Sequence, residues 1–264
     1  MRLSSNTVCT TDKCDNFHYT SDCTKFVTKG EEVKKLFLLL VLASLILTAC
    51  QFDVTADLYL QDVMDVQEAG ETIFTNATLA LEIGGADEAD KQQIVDILDA
   101  QLHQISNIRE EERDYSTYLV VDYKIPIVYA ESAEGIYSHA EIGNHIFTFA
   151  LSSDNSLYIA FNKPRFDALS DQLYEEFYRR LSFEDFSMRL YLQNDLRDTV
   201  DVTLYSVYAN NIPLPYSSDF TLERRDEIEI RFSNVLRDSV TTPLPSETTG
   251  IVVRKFADLS LVAG

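Results

Sequence analysis

Three residues with metal-binding and acid–base side chains lie close together in the middle of the chain: His139, Glu141 and His145. Because their positions have the same parity, they would share one face of an extended strand, where two imidazoles and a carboxylate can bind zinc. Gly143-Asn144 would break such a strand, and histidines in a surface loop are the simpler interpretation. We therefore predict no metal and no cofactor, with these three residues as the only metal candidates worth checking.

Cysteine is the other reactive residue type, and its distribution divides the chain. Cys9, Cys14 and Cys23 lie in a Ser/Thr/Asp-rich segment that lacks the paired spacing of zinc modules. Cys50 is the only cysteine after them. The chemistry of the second part of the chain therefore depends on one sulfur.

An export signal precedes Cys50. Lys34-Lys35 supplies a short positive region, Leu36 to Leu47 is an apolar stretch of twelve residues, and Thr48-Ala49 supplies small residues before the cysteine. Twelve residues are too few to span a hydrocarbon core, which needs about 20. The pattern is typical of a secretory signal that is cut off during export.

The motif Leu47-Thr48-Ala49-Cys50 resembles the lipobox of bacterial membrane lipoproteins. This resemblance implies cleavage just before Cys50 and attachment of diacylglycerol, rich in palmitate, to its sulfur. Two or three acyl chains anchor a protein stably, at about 0.8 kcal/mol per buried methylene. The resemblance thus implies an extracytoplasmic protein that is attached to a membrane through acylated Cys50.

Residues 1–32 do not fit this layout, since such signals begin near the N-terminus. We predict that translation starts at Val33, that residues 33–49 are the lipoprotein signal peptide, and that residues 1–32 are an upstream extension of the reading frame. In enterobacterial lipoproteins an aspartate after the cysteine commonly marks inner-membrane retention. By that resemblance Gln51 implies the outer membrane, facing the periplasm, in a Gram-negative host.

The part after Cys50 is predicted to be α+β, in two domains. Residues 50–183 are expected to form an N-terminal antiparallel sheet with two helices, and residues 184–264 a small all-β, sandwich-like domain. The predicted helices are Asp87 to Ile108 and Asn162 to Leu181. The predicted strands are Phe52 to Val66, Ile73 to Ile83, Tyr118 to Tyr129, Ile146 to Leu151, Leu157 to Phe161, Phe186 to Leu192, Val200 to Tyr208, Glu227 to Phe232 and Ile251 to Phe256.

Charge and the absence of catalytic motifs restrict the functions that the chain can have. From Cys50 onward there are 16 basic and 38 acidic residues, a net charge of −22, which disfavours nucleic acid as a partner. No catalytic residue is predicted, because the sequence has neither a nucleophile elbow nor a phosphate loop. Beyond the lipobox, this part is faintly similar to uncharacterised bacterial and prophage lipoproteins.

We expect a non-enzymatic binding or structural module of the cell envelope, whose partner is another envelope protein. Two alternatives remain open. One is an envelope hydrolase with an unrecognised carboxylate or histidine site, and the other is a prophage-encoded exclusion lipoprotein that blocks a phage receptor or injection channel.

Overall fold

Strands dominate the computed structural model, which describes residues 50–113, 115–178, 180–234, 236 and 250–261. The predicted signal peptide and the predicted upstream extension lie outside these residues. The described strands are β1 Cys50–Tyr59, β2 Ile73–Glu82, β3 His103–Arg113, β4 Ser116–Ala130, β5 Phe147–Ser152, β6 Ser156–Asn162, β7 Leu181–Gln193, β8 Val200–Tyr205, β9 Val207–Ala209, β10 Ile212–Pro213, β11 Ser217–Leu222, β12 Glu227–Phe232 and β13 Ile251–Leu261. The described helices are α1 Leu60–Ala69, α2 Glu88–Gln101, α3 Ala133–Ile136, α4 Ala140–Asn144 and α5 Lys163–Phe177.

All thirteen strands belong to one mixed sheet, so the predicted α+β class is confirmed. The order is β10-β9-β12-β7-β1-β2-β4-β5-β6-β13-β8-β11, with β3 also paired to β4. Most pairs are antiparallel, but β1 pairs with β7, and β4 with β5, in parallel. The prediction of a purely antiparallel sheet within residues 50–183 is therefore wrong, since helices α3 and α4 form a crossover between β4 and β5. The strands after residue 183 pair with both β1 and β6, so they extend the sheet of residues 50–183 at two places.

The sheet curls until its two ends meet. Strands β8 and β9 are separated by the single residue Ser206, yet they pair near opposite ends of the strand order. Ser206 has a positive φ of 53°, a left-handed conformation that lets the strand bend there. Across the closure, the rings of Phe232 in β12 and Phe256 in β13 lie 5.8 Å apart. The two halves of the sheet therefore share one hydrophobic core.

Two stretches differ most from the sequence prediction. The predicted strand to Val66 ends at Tyr59, and α1 follows, burying Leu60, Val63 and Val66 at helical spacing until Gly70 ends it in a left-handed conformation. The predicted helix to Ile108 ends at Gln101, and β3 begins at His103. Positive φ angles at Gln104 and Asn107 form irregularities in β3, whose charged side chains are supported by pairing with β4.

Pro126 shows how a proline is accommodated within an interior strand. We predict from the sequence that it marks an edge or a bulge. Along β4, pairing with β3 ends at Lys124 and pairing with β5 begins at Ile127. Pro126 lies in this gap on one side of β4, while on the other side it pairs with Phe74 of β2. The irregularity that a proline introduces into a strand therefore coincides with the change of partner from β3 to β5.

Candidate binding site

An open depression of about 420 Å³ lies where the end of α2, the start of β3, helix α4 and the start of α5 meet. It combines aromatic, cationic and carboxylate side chains, a mixture suited to recognising a polar group. The lining residues are Phe74, Ala100, Gln101, Leu102, His103, Glu141, Asn144, His145 and Arg165.

Local capping interactions hold α4 against α5. Asn162 accepts a hydrogen bond from the Arg165 backbone N–H as the N-cap of α5, and its side-chain amide donates to the carbonyls of Ile142 and Gly143 at 3.1 Å each. The Arg165 guanidinium in turn donates to the carbonyl oxygen of Asn144. These bonds fix the guanidinium beside the last turn of α4.

Glu141 and His145 form the central pair of the depression. They lie four residues apart around α4, and the Nε2 atom of His145 is 2.9 Å from Oε2 of Glu141. The His145 side chain is only 12% exposed, and the burial lowers the pKa of the imidazole; the bond to Glu141 offsets part of this, while His103 and Arg165 lower it further. At neutral pH the ring is therefore uncharged, and if Nε2 carries the proton donated to Glu141, Nδ1 is an acceptor.

His103 completes the cluster from a distant part of the sequence. Its ring stacks on Phe74 with centroids 4.6 Å apart, and meets the His145 ring edge-on at 5.5 Å. Sequence reasoning missed this residue because it lay inside a predicted helix and 42 positions before His145. No local pattern signals a contact that only the fold creates.

The three metal candidates separate into different roles. The chain around them is helix α4 and not the extended strand on which the zinc interpretation depended, so parity no longer places them on one face. His139 is the N-cap of α4, and its Nδ1 accepts from the backbone N–H of Glu141 at 3.4 Å. Within the described ranges, no group of three His, Cys, Asp or Glu side chains is arranged to hold a metal ion.

A second cavity lies in the core and is too small for a ligand. It is enclosed by apolar side chains of the sheet and of α2 and α5, and has a volume of about 20 Å³. That volume holds roughly one water molecule. Tyr123 is its one lining residue with a polar side-chain atom, and burial raises the pKa of its hydroxyl far above the ordinary range.

Cys50, the predicted lipidation residue, is the first residue of β1. Its backbone pairs with Leu181 of β7, so this residue is already part of the sheet. None of the helices in the described part of the chain is both long and apolar enough to cross a membrane.

The buried imidazole predicts a pH dependence of stability. The pKa of His145 in the folded chain lies below its ordinary value of 6.5, so the unfolded chain takes up the proton first as the pH falls. The contribution of the neutral ring is fully present above pH 6.5 and is lost as the pH drops through the folded-state pKa. In urea unfolding between pH 7 and pH 5, wild type is expected to lose more stability than His145→Gln, whose amide keeps a donor for Glu141. Parallel curves for the two proteins would contradict this.

Comparison with known proteins gives one match. A family model described as a domain of unknown function, DUF7424, matches residues 52–251. No curated protein and no solved structure matches the chain. The matched segment begins two residues after Cys50 and runs without interruption from β1 to the first residue of β13, across the predicted boundary at residue 183. Since it covers well over half of the sequence, the chain belongs to the DUF7424 family.

Proposed function

We propose that the chain is an extracytoplasmic lipoprotein that is anchored through acylated Cys50 and binds another envelope protein without catalysing a reaction. The observation that carries the proposal is the position of Cys50 as the first residue of an interior strand. Strand β1 is paired on both sides, with β2 and β7. A lipid at this position would hold the whole sheet directly against the bilayer.

Such an anchor would turn the depression away from the membrane. In β2, Leu81 pairs with Phe52 near the Cys50 end, whereas Phe74 lies beyond Ala77, the partner of Ala56. Helix α5 runs the same way, from Arg165 at the depression to Phe177 near Leu181, over about 18 Å at 1.5 Å per residue. The depression would therefore be open to a partner on the side facing away from the lipid.

The surface at the Tyr59 end of β1, away from Cys50, is acidic. Burial, followed by the carboxylates of Asp195 and Asp65, raises the pKa of Asp62 above its ordinary value. Asp195 also accepts from the backbone N–H of Gln61 at 2.8 Å, which holds the two segments together. Together with the net charge of −22, this favours a partner that presents basic side chains.

The strands after residue 183 continue the sheet of residues 50–183 beyond β1 and β6. In the shared core, the ring of Phe147 in β5 lies 5.4 Å from the ring of Phe186 in β7. We propose that this closed sheet is a rigid support that presents the depression.

The test is site-specific crosslinking in the native host. A photoreactive residue replaces exposed Asn144 at the depression, or Ile212, which is 64% exposed on the β9–β10 hairpin, as the control. One envelope protein is expected to be captured from position 144, to be lost when Cys50→Ala is added, and to be captured weakly or not at all from position 212. If the same proteins are captured from both positions, or none is, the binding role is wrong.

The Glu141–His145 pair favours a hydrolase as a second candidate function. A carboxylate that orients an imidazole is the arrangement of a general base, which contributes about 10²–10⁴-fold to a rate. If the chain is a hydrolase, purified protein should cleave members of a panel of nitrophenyl esters and phosphates, and His145→Gln should lose about 100-fold or more of that rate. Activity that survives the substitution would remove this candidate.

A further inference from the structure

Exposed tyrosines concentrate at the Cys50 end of the body. Among the described residues, five tyrosines are at least 36% exposed, and three of these, Tyr115, Tyr174 and Tyr178, lie at that end. We call these three the tyrosine rim. Tyr115 is fully exposed and Tyr178 is 83% exposed, although large aromatic side chains usually gain stability from burial.

One side of the rim is placed by β7. Leu181 pairs with Cys50, and Tyr178 precedes it by three residues. At 3.8 Å per residue and about 4.8 Å between strands, the backbones of Tyr178 and Cys50 are within about 16 Å of each other. The Tyr174 ring lies 6.2 Å from the Tyr178 ring, and the Arg180 guanidinium stacks 4.9 Å from the Tyr174 centroid.

The other side of the rim is placed by the turn between β3 and β4. The Glu82 carboxylate accepts from the backbone N–H of Gln51 at 3.4 Å and from the Ser116 hydroxyl at 2.6 Å. Tyr115 is next to Ser116 in the turn. The tyrosines therefore flank the start of β1 on both sides.

The backbone at Tyr115 and Tyr178 is not one that favours tyrosine. Their φ angles are 73° and 55°, a left-handed region that glycine or asparagine adopts at lower cost. The turns themselves therefore do not explain aromatic side chains at these positions.

We propose that the tyrosine rim is a bilayer-contact face whose rings rest in the headgroup region around the anchor. Tyrosine suits that region because its ring contacts apolar lipid while its hydroxyl stays hydrated. The inference rests on the proposed acylation of Cys50, which would hold the tyrosine rim at a high effective concentration of lipid, with the Tyr178 backbone within about 16 Å of the Cys50 backbone. Arg180, 66% exposed and 3.9 Å from Asp171, adds a group that can reach lipid phosphate.

Tryptophan fluorescence tests this contact directly, because the chain contains no tryptophan. Tyr178→Trp places a reporter in the rim. Arg197→Trp is the control, because it lies in an exposed loop just after Gln193, whose partner Tyr59 is at the other end of β1. Acylated protein is reconstituted into phosphatidylcholine vesicles whose acyl chains carry bromine near the glycerol.

Bromine quenches only nearby indoles, and the two reporters lie toward opposite ends of β1, about 30 Å apart along the strand. Relative to unbrominated vesicles, the emission of Tyr178→Trp is expected to fall about twofold or more, while that of Arg197→Trp hardly changes. Equal quenching of both reporters in acylated protein would overturn the contact face and leave the anchoring intact. If mass spectrometry shows no acyl chain on Cys50, the anchoring fails instead. In that case a hexahistidine segment at residues 44–49, bound to nickel-chelating lipid, replaces the acyl anchor, and the same two reporters are compared. Equal quenching of both again overturns the contact face.

Discussion

A Cys50→Ser chain is expected to leave the membrane fraction completely. The serine oxygen cannot form the thioether that carries the diacylglycerol, and two acyl chains at about 0.8 kcal/mol per buried methylene far exceed what peripheral contacts supply. The acidic body offers no compensating attraction to anionic lipid, since its net charge is −22. The measurement is flotation of membranes after carbonate washing, followed by immunoblotting of each fraction.

Cys23→Ser is the matched control for this loss. It makes the same chemical change within residues 1–32, which we predict not to be part of the mature protein. The control is expected to float with the membranes as wild type does. A Cys50→Ser chain that remains in the washed membranes would contradict the anchoring.

The second large effect is expected at the closure of the sheet, where Phe256→Ala should lower the free energy of unfolding by about 3–5 kcal/mol. Phe256 is fully buried, with ring centroids 5.8 Å from Phe232 and 6.3 Å from Phe149. Removing its ring leaves a cavity between strands that lie far apart in the sheet order. Urea unfolding followed by circular dichroism measures the loss.

Ile212→Ala is the comparison for the closure. Ile212 is also apolar, but it is 64% exposed on a hairpin, and exposed substitutions usually change stability by no more than about 0.5 kcal/mol. If Phe256→Ala costs no more than Ile212→Ala, the two ends of the sheet do not share a core.

Strong local patterns allowed several elements to be predicted from the sequence. Alternation of apolar residues gave β2 and β12 nearly to the residue, and the Ser/Asp/Asn run between β5 and β6 gave their hairpin. Asn162 and Pro164 marked the start of α5. In each case the information lies within a few neighbouring residues.

The misassigned elements depend on distant partners. The apolar residues Leu60, Val63 and Val66 lie in a stretch that follows β1 without a break in polarity, and a capping residue is missing, since Tyr59 makes no side-chain cap bond. Strand β3 carries mostly polar and charged side chains, and its support comes from pairing with β4. Strands β8 and β9 are neighbours in the chain but pair near opposite ends of the sheet, and no local sequence pattern indicates this.

The candidate site was predictable only in part. The spacing of Glu141 and His145 is visible in the sequence, and the structure brings them to 2.9 Å, but through a helix and not through the extended strand that the zinc interpretation required. The ring contact of His145 with His103 and the bond from Arg165 to Asn144 arise from the packing of β3, α4 and α5. The proposed binding role of the depression rests on these contacts and not on any motif.

The central claim is that Cys50 carries the anchor, and the most direct measurement is mass spectrometry of the N-terminal peptide of protein extracted from host membranes. We expect the mature chain to begin at Cys50 and this residue to carry diacylglycerol, so that treatment with alkali releases fatty acid and lowers the peptide mass accordingly. An N-terminus upstream of Cys50 together with an unmodified thiol at that residue would contradict it.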